Sequence, residues 1–196
     1  MSGPVRVIKL GGSLLDWPDL ADMFCRWLAK QSPATNVVVA GGGAIVEALR
    51  QLDRAQAMPP ETAHWLAIHA MSMTAALAAE LLPDASLVHR ANDLLTTGTA
   101  GVRVFDVADF MRDDAQRKDR LPYNWDVTSD SIAARVACRL EAHELVLLKS
   151  TLPADGATRK LLADQGFVDV HFPVAAASLP VRCVNLRHRA FPQAAL

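Results

Sequence analysis

The sequence predicts an α/β fold, a three-layer αβα sandwich around a mostly parallel sheet. Three observations lead there. Short apolar runs recur along the chain, and they are continuous rather than alternating. A helical pattern follows most of them, and glycine turns close the first two. Continuous apolar strands belong in sheets covered on both faces, and a helix after each strand supplies the crossover that parallel pairing requires. With 196 residues, 51% of them hydrophobic, the chain can bury one full core, so 1–196 is read as a single domain.

The elements follow in order. "VRVIKL" (5–10) is a strand rich in β-branched residues and ended by glycines. Within 17–31, Leu20, Phe24, Trp27 and Leu28 fall at helical spacing, with Pro18 near the start. "NVVVA" (36–40) is a second strand, and a helix runs on from Ala44. Residues 61–82 form the longest helix, apolar on nearly every face, which marks an interior or interface helix; Pro83 stops it. "ASLVHR" (85–90) and "GVRVF" (101–105) read as strands, and the charged interval 106–126 reads as a loop. "TSDSIAARVACRL" (128–140) is a helix capped by Thr128 or Ser129. "HELVLLKS" (143–150) is another buried strand. The tail predicts a helix at 157–165, strands in "FVDVHF" and "VRCVNL", and a terminal helix.

Composition narrows the function classes. Twenty basic and 21 acidic residues leave a net charge of −1, so there is no electrostatic footprint for nucleic acid or an anionic membrane. A small-molecule partner remains by elimination. Cys25, Cys138 and Cys183 lie far apart, "MSGPVRV" lacks the apolar core of a secretory signal, and no apolar run is long enough to span a bilayer. A cytoplasmic protein with reduced thiols is expected. The six histidines show no ligand spacing, so no metal-binding residues are assigned.

Ligands of open parallel sheets bind beyond the carboxyl ends of the strands. Here those ends carry Lys9 with Gly11, Gly12 and Ser13, then Gly41, Gly42 and Gly43, then Lys149 and Ser150. Glycine turns running into helices either make tight corners or let backbone N–H groups cradle phosphate. Lys9, inside an apolar strand, either snorkels outward or places a cation beside a phosphoryl group in transfer. Thr128, Ser129 and Asp130 open a helix, as plain caps or as groups that also face a ligand. Tyr123 and Trp125 either stack on a planar ring or pack beneath the loop. The crevice wall is expected to draw on 61–82 and 92–99.

In this order the segments "VIKLGGSLL", "VVVAGGGAIVEALR", "VTSDSIAARVA" and "LVLLKSTLPADG" resemble the amino acid kinase family over about residues 5–156. The resemblance implies ATP with Mg²⁺, and a phosphate or carboxylate acceptor. It implies that Lys9 stabilises the moving phosphoryl group and that Asp130 orients Lys9. Gly11, Gly12 and Ser13 would bind ATP phosphates, while Lys149, Ser150, Asp155 and Gly156 border the nucleotide. Gly41, Gly42, Gly43, Thr128 and Ser129 would meet the acceptor. The halves would divide near residue 120, the acceptor side first and a shortened nucleotide side after it. "NWDVTSDSIAA" and the short length are most similar to the family's methanofuran-biosynthesis branch, in one-carbon metabolism, which phosphorylates an aminomethylfuran phosphate. A homodimer or higher homo-oligomer is expected. Many relatives carry a second catalytic lysine on the nucleotide side, yet Lys160 is the only lysine after Lys149 and its context differs. A ligand-binding member without catalysis is the alternative.

Overall fold

The computed structural model describes residues 3–95 and 101–196. Its seven-stranded sheet has the order β3-β4-β2-β1-β5-β6-β7. The strands are β1 (Val5–Leu10), β2 (Thr35–Ala40), β3 (Ala85–Val88), β4 (Val102–Phe105), β5 (Glu144–Lys149), β6 (Val181–Asn185) and β7 (Gln193–Ala195). All pairings are parallel except β6 with β7. The helices are α1 (Leu20–Leu28), α2 (Gly43–Gln56), α3 (Pro60–Leu81), α4 (Ala108–Ala115), α5 (Ser129–Arg139), α6 (Arg159–Asp164) and α7 (Phe172–Ala175).

Alternation along each strand sorts the core into two layers. Val7, Val39, Leu145 and Leu147 pack with Ile68, Met71 and the α5 residues Ile132 and Ala133. Ile8, Leu10, Val38 and Leu148 pack on the other face with Leu20, Phe24 and Trp27 of α1. Burying both faces is why the central strands carry no polar alternation. Lys9 is an exception placed on the α5 face, and Arg6 is one on the α1 face. Both are almost fully buried. Among the described residues, no helix is long and apolar enough to cross a membrane.

Three expectations are corrected. The interval 106–126 contains α4, because Ala108, Met111 and Asp114 share an inward face despite the charged neighbours. Asp114 is buried there with two partners, Arg135 and the Leu121 N–H. "FVDVHF" is not a strand: Gly166 turns the chain at φ +69°, and the segment bends back onto α5 before entering α7. The terminal helix is replaced by β7, which pairs antiparallel with the edge of β6. Only a neighbouring strand edge favours that choice, and local pattern does not reveal it.

Candidate active site

β1 has β2 on one side and β5 on the other, so the carboxyl ends of three strands converge at the middle of the sheet. The chain leaves β1 at Gly11, whose N–H bonds the Leu148 carbonyl, and enters a single 3-10 turn at Gly12–Leu14. It leaves β2 at Gly41, bonded to the Leu10 carbonyl, and enters α2. The two turns touch backbone to backbone. A side chain on Gly12 would begin 2.4 Å from the Gly43 nitrogen, and Gly43 itself has φ +55°. Glycine at 12 and 43 is therefore required by close approach and by a left-handed backbone, respectively. Gly41 lies against the Ser129 hydroxyl, which brings the first turn of α5 to the same place.

Beneath this meeting point, Asp130 stands between two lysines. Lys9 Nζ lies 2.9 Å from Oδ1, a charge contact off the hydrogen-bonding direction. Lys149 Nζ donates to Oδ2 at 3.0 Å and also to the Phe167 carbonyl, and it sits over the Phe167 ring. Burial would raise the Asp130 carboxyl, but the charges of Lys9 and Lys149 outweigh it and hold the group below the usual carboxylate range. Burial lowers Lys149, with Asp130 opposing and Lys9 adding to the effect. Two cations and one anion leave a buried net charge of +1 where two glycine turns present backbone N–H groups. That combination suits an anion.

α5 is held by a residue the sequence reading missed. Thr128 makes no side-chain cap of its own. Instead Asp169 accepts from the Thr128 N–H (3.0 Å) and hydroxyl (2.9 Å), and from the Ser131 N–H (2.9 Å) and hydroxyl. Burial raises the Asp169 carboxyl, against the pull of the Ser131 hydrogen bonds. No sequence signal links residue 169 to residue 128, since the contact depends on the bend after Gly166. Arg187, just past β6, was also missed; it reaches the Ser13 carbonyl at 2.9 Å.

A cavity of about 520 Å³ opens above the glycine turns. Gly12, Ser13, Gly41, Gly42, Gly43, Thr128 and Ser129 all line it. The α3 residues Ala63, His64, Ala67, Ile68 and Met71 form one wall, and Trp125 lines the cavity as well. Trp125 is pinned by its Nε1–H to Asp53 (2.6 Å), while Tyr123 stacks on His64. Of the 92–99 segment, Asn92 and Leu95 line a different cleft, on the side of the sheet where β3 is the edge strand. Residues 96–99 lie outside the described residues. Ser150 is half-buried at the end of β5, and Asp155 and Gly156 are exposed beyond it.

Residues 4–151 match the amino acid kinase family, and the chain belongs to it. Among solved structures, the fold is similar to UMP kinase from Ureaplasma parvum, at 17% identity over 96% of this chain and 92% of that one, with a TM-score of 0.62. Uridylate kinase from Archaeoglobus fulgidus is similar at 16% identity over 92% and 89% of the two chains, with a TM-score of 0.58. Aspartate kinase from Synechocystis matches 92% of this chain and 37% of its own, at 15% identity and a TM-score of 0.60. A search of curated protein sequences found no match. The structural likenesses show a shared fold, and family membership supports a kinase, a phosphotransferase.

Proposed function

We propose that the protein is an ATP-dependent kinase that phosphorylates a small acceptor already carrying a phosphate or carboxylate. The observation behind this reading is the Lys9–Asp130–Lys149 array beneath two touching glycine turns. An anionic acceptor oxygen would attack the γ-phosphorus, forming the new P–O bond as the bond to the β-bridging oxygen breaks and ADP leaves with that electron pair. No base is required, because no proton has to leave the acceptor. Lys9 would sit against the charge spread over the equatorial oxygens, with Asp130 orienting it. Lys149, on the other Asp130 oxygen, would fill the place of the second lysine absent farther along the chain.

Gly12 and Ser13 would bind the ATP phosphates, with Arg187 near Ser13 adding charge, while Gly11, its N–H taken by the Leu148 carbonyl, would shape the turn. Gly41, Gly42, Gly43, Thr128 and Ser129 would meet the acceptor, while Ser150, Asp155 and Gly156 would border the nucleotide. Gly12, Ser13, Gly42 and Gly43 line the cavity, so the backbone of both turns would be open to a phosphate there. Mg²⁺ would arrive bound to ATP and neutralise phosphate charge, with phosphate oxygens and water as its main ligands. A cytoplasmic location, as expected from the sequence, fits an ATP donor. An aminomethylfuran phosphate is the specific acceptor suggested by "NWDVTSDSIAA". A homo-oligomer through α3 is supported by Leu66, Met73, Leu77 and Leu81, partly exposed along one stripe of that helix; light scattering giving a monomer mass would remove it.

The test is ADP release from Mg-ATP across a panel of phosphorylated and carboxylated acceptors, with Lys9→Ala as the comparison. Turnover by the parent chain that vanishes in the variant is expected. Turnover unchanged by Lys9→Ala would sink the mechanism.

A further inference from the structure

The cavity above the glycine turns has a built end. It runs along one face of α2, whose residues Gly43, Val46, Glu47, Arg50 and Asp53 line it at helical spacing. α2 begins at Gly43, where the two glycine turns touch, and a rise of about 1.5 Å per residue puts Asp53 about 15 Å farther along the axis. There the cavity meets Trp125. Arg50, Asp53 and Trp125 also line a second, smaller cleft of about 180 Å³. Three residues shared by both spaces form the partition between them.

That partition is fixed at several points. Asp53 accepts the Trp125 Nε1–H at 2.6 Å through one carboxylate oxygen and the Met58 N–H at 2.9 Å through the other. Met58 follows Ala57, whose left-handed φ of +49° ends α2, so the carboxylate is tied to the turn as well as to the helix. The Arg50 guanidinium lies over the indole, 4.9 Å from its centroid. A charge-assisted bond at the edge and a cation over the face hold the half-buried ring in place. Ile68, Met71 and Ile132 add apolar lining to the same cavity.

We propose that Trp125, held by Asp53, is the specificity-determining end wall of the acceptor cavity. An acceptor whose anionic end sits at the glycine turns can extend along α2 as far as the indole, so the site selects by the length of the body. The proposal rests on the kinase reading for the placement of the anionic end. Removing the indole would join the cavity to the smaller cleft and lengthen it.

Calorimetric titration with ethyl, butyl, hexyl and octyl phosphate tests this on the wild-type chain, Trp125→Ala and Trp125→Leu. On the wild-type chain each added methylene should raise affinity about fourfold while it is buried against apolar wall. The climb should break within the series, where the probe meets the indole. Trp125→Ala should carry the climb on to a longer probe and leave ethyl phosphate within about twofold, the size of a remote change. Trp125→Leu should shift the break in the same direction, and it carries the comparison if the alanine variant does not fold. A climb unbroken to octyl phosphate on the wild-type chain overturns the proposal, whatever the variants do. So does a break at the same probe in wild type and variants, and so does a series that does not bind. Titration with Mg-ATP separates the two readings. Nucleotide binding with an unmoved break overturns the length assignment alone. A break that moves on substitution of Trp125, without nucleotide binding, supports that assignment and counts against the kinase.

Discussion

Two three-charge clusters occupy opposite faces and opposite ends of the same two central strands. At the amino end, Glu144 of β5 lies between Arg6 of β1 and Arg182 of β6. At the carboxyl end, Asp130 lies between Lys9 of β1 and Lys149 of β5. Both clusters carry two cations around one carboxylate. They differ in what else holds the cations. Arg6 also donates to the Ser32 carbonyl and hydroxyl and to Asn36, and Arg182 donates to Gln31 and Gln193. Those donors are taken up by the protein itself, as a structural clamp requires. Lys149 is also held by the Phe167 carbonyl, but Lys9 has one charge contact, at the strand end that runs into the first glycine turn. The choice of side chain agrees: guanidinium makes fixed, multidentate bonds, while an ammonium is a compact charge able to follow a moving group. One cluster stabilises, and we read the other as keeping charge in reserve for a ligand.

The largest effect should separate the two lysine and arginine positions on β1. Lys9→Ala is expected to lower turnover by about 10³-fold, the scale of a lost transition-state charge contact, and to destabilise the fold less than Arg6→Ala, because Lys149 still pairs with Asp130. Arg6→Ala should instead cost about 3 kcal/mol or more, because it leaves Glu144 short of a partner, while nucleotide affinity of the folded fraction holds. Measuring turnover and denaturant midpoints for both variants would break the comparison if Arg6→Ala proved the more damaging to turnover per folded molecule.

Asp130→Asn comes next. It leaves two buried ammonium groups without their carboxylate, so both activity and stability should fall, the latter by about 3 kcal/mol. Adding Lys149→Met to this variant should recover part of the stability but not the activity. Failure of that recovery in urea titrations would show that Asp130 does not couple the two cations.

Glu144→Gln should cost about 2 kcal/mol, the size of lost hydrogen bonds to a charged group. Its pH signature is distinct. Burial would raise the Glu144 carboxyl, but Arg182 and Arg6 bring it down from 4.5 to about 2. The folded state therefore binds fewer protons than the unfolded chain in that window. The stabilisation is fully present above pH 4.5 and is lost as pH falls through about 2. Urea midpoints at pH 5 and pH 2.5 should differ less in the variant than in the parent; an equal pH dependence would reject this assignment.

The smallest effect belongs to Asp169→Asn, which weakens the cap on α5. A loss of about 1 kcal/mol is expected, with a modest fall in kcat as Asp130 shifts. Hydrogen exchange should quicken first at the Thr128 and Ser131 amides, and unchanged protection there would remove Asp169 from the account.

Much of this was legible in the sequence, and for physical reasons that act locally. Continuous apolar runs reported β1, β2 and β5, because burial on both faces removes any need for polar alternation. Gly12 and Gly43 were legible as turns, since a backbone that must approach another backbone excludes side chains. Lys9 stood out because a charge among buried neighbours needs a partner, and Asp130 because it opens a helix aimed at the same crevice. Sequence alone thus determined the fold class, the glycine turns and which buried charges call for an explanation. The tertiary structure decided what those charges meet. Lys149 turns in onto Asp130 because β5 runs beside β1. Asp169 caps α5 across 41 residues because the chain bends back after Gly166. His64 and Arg50 line one cavity because α2 and α3 pack together. Such pairings follow from long-range packing, whose partners no local pattern specifies.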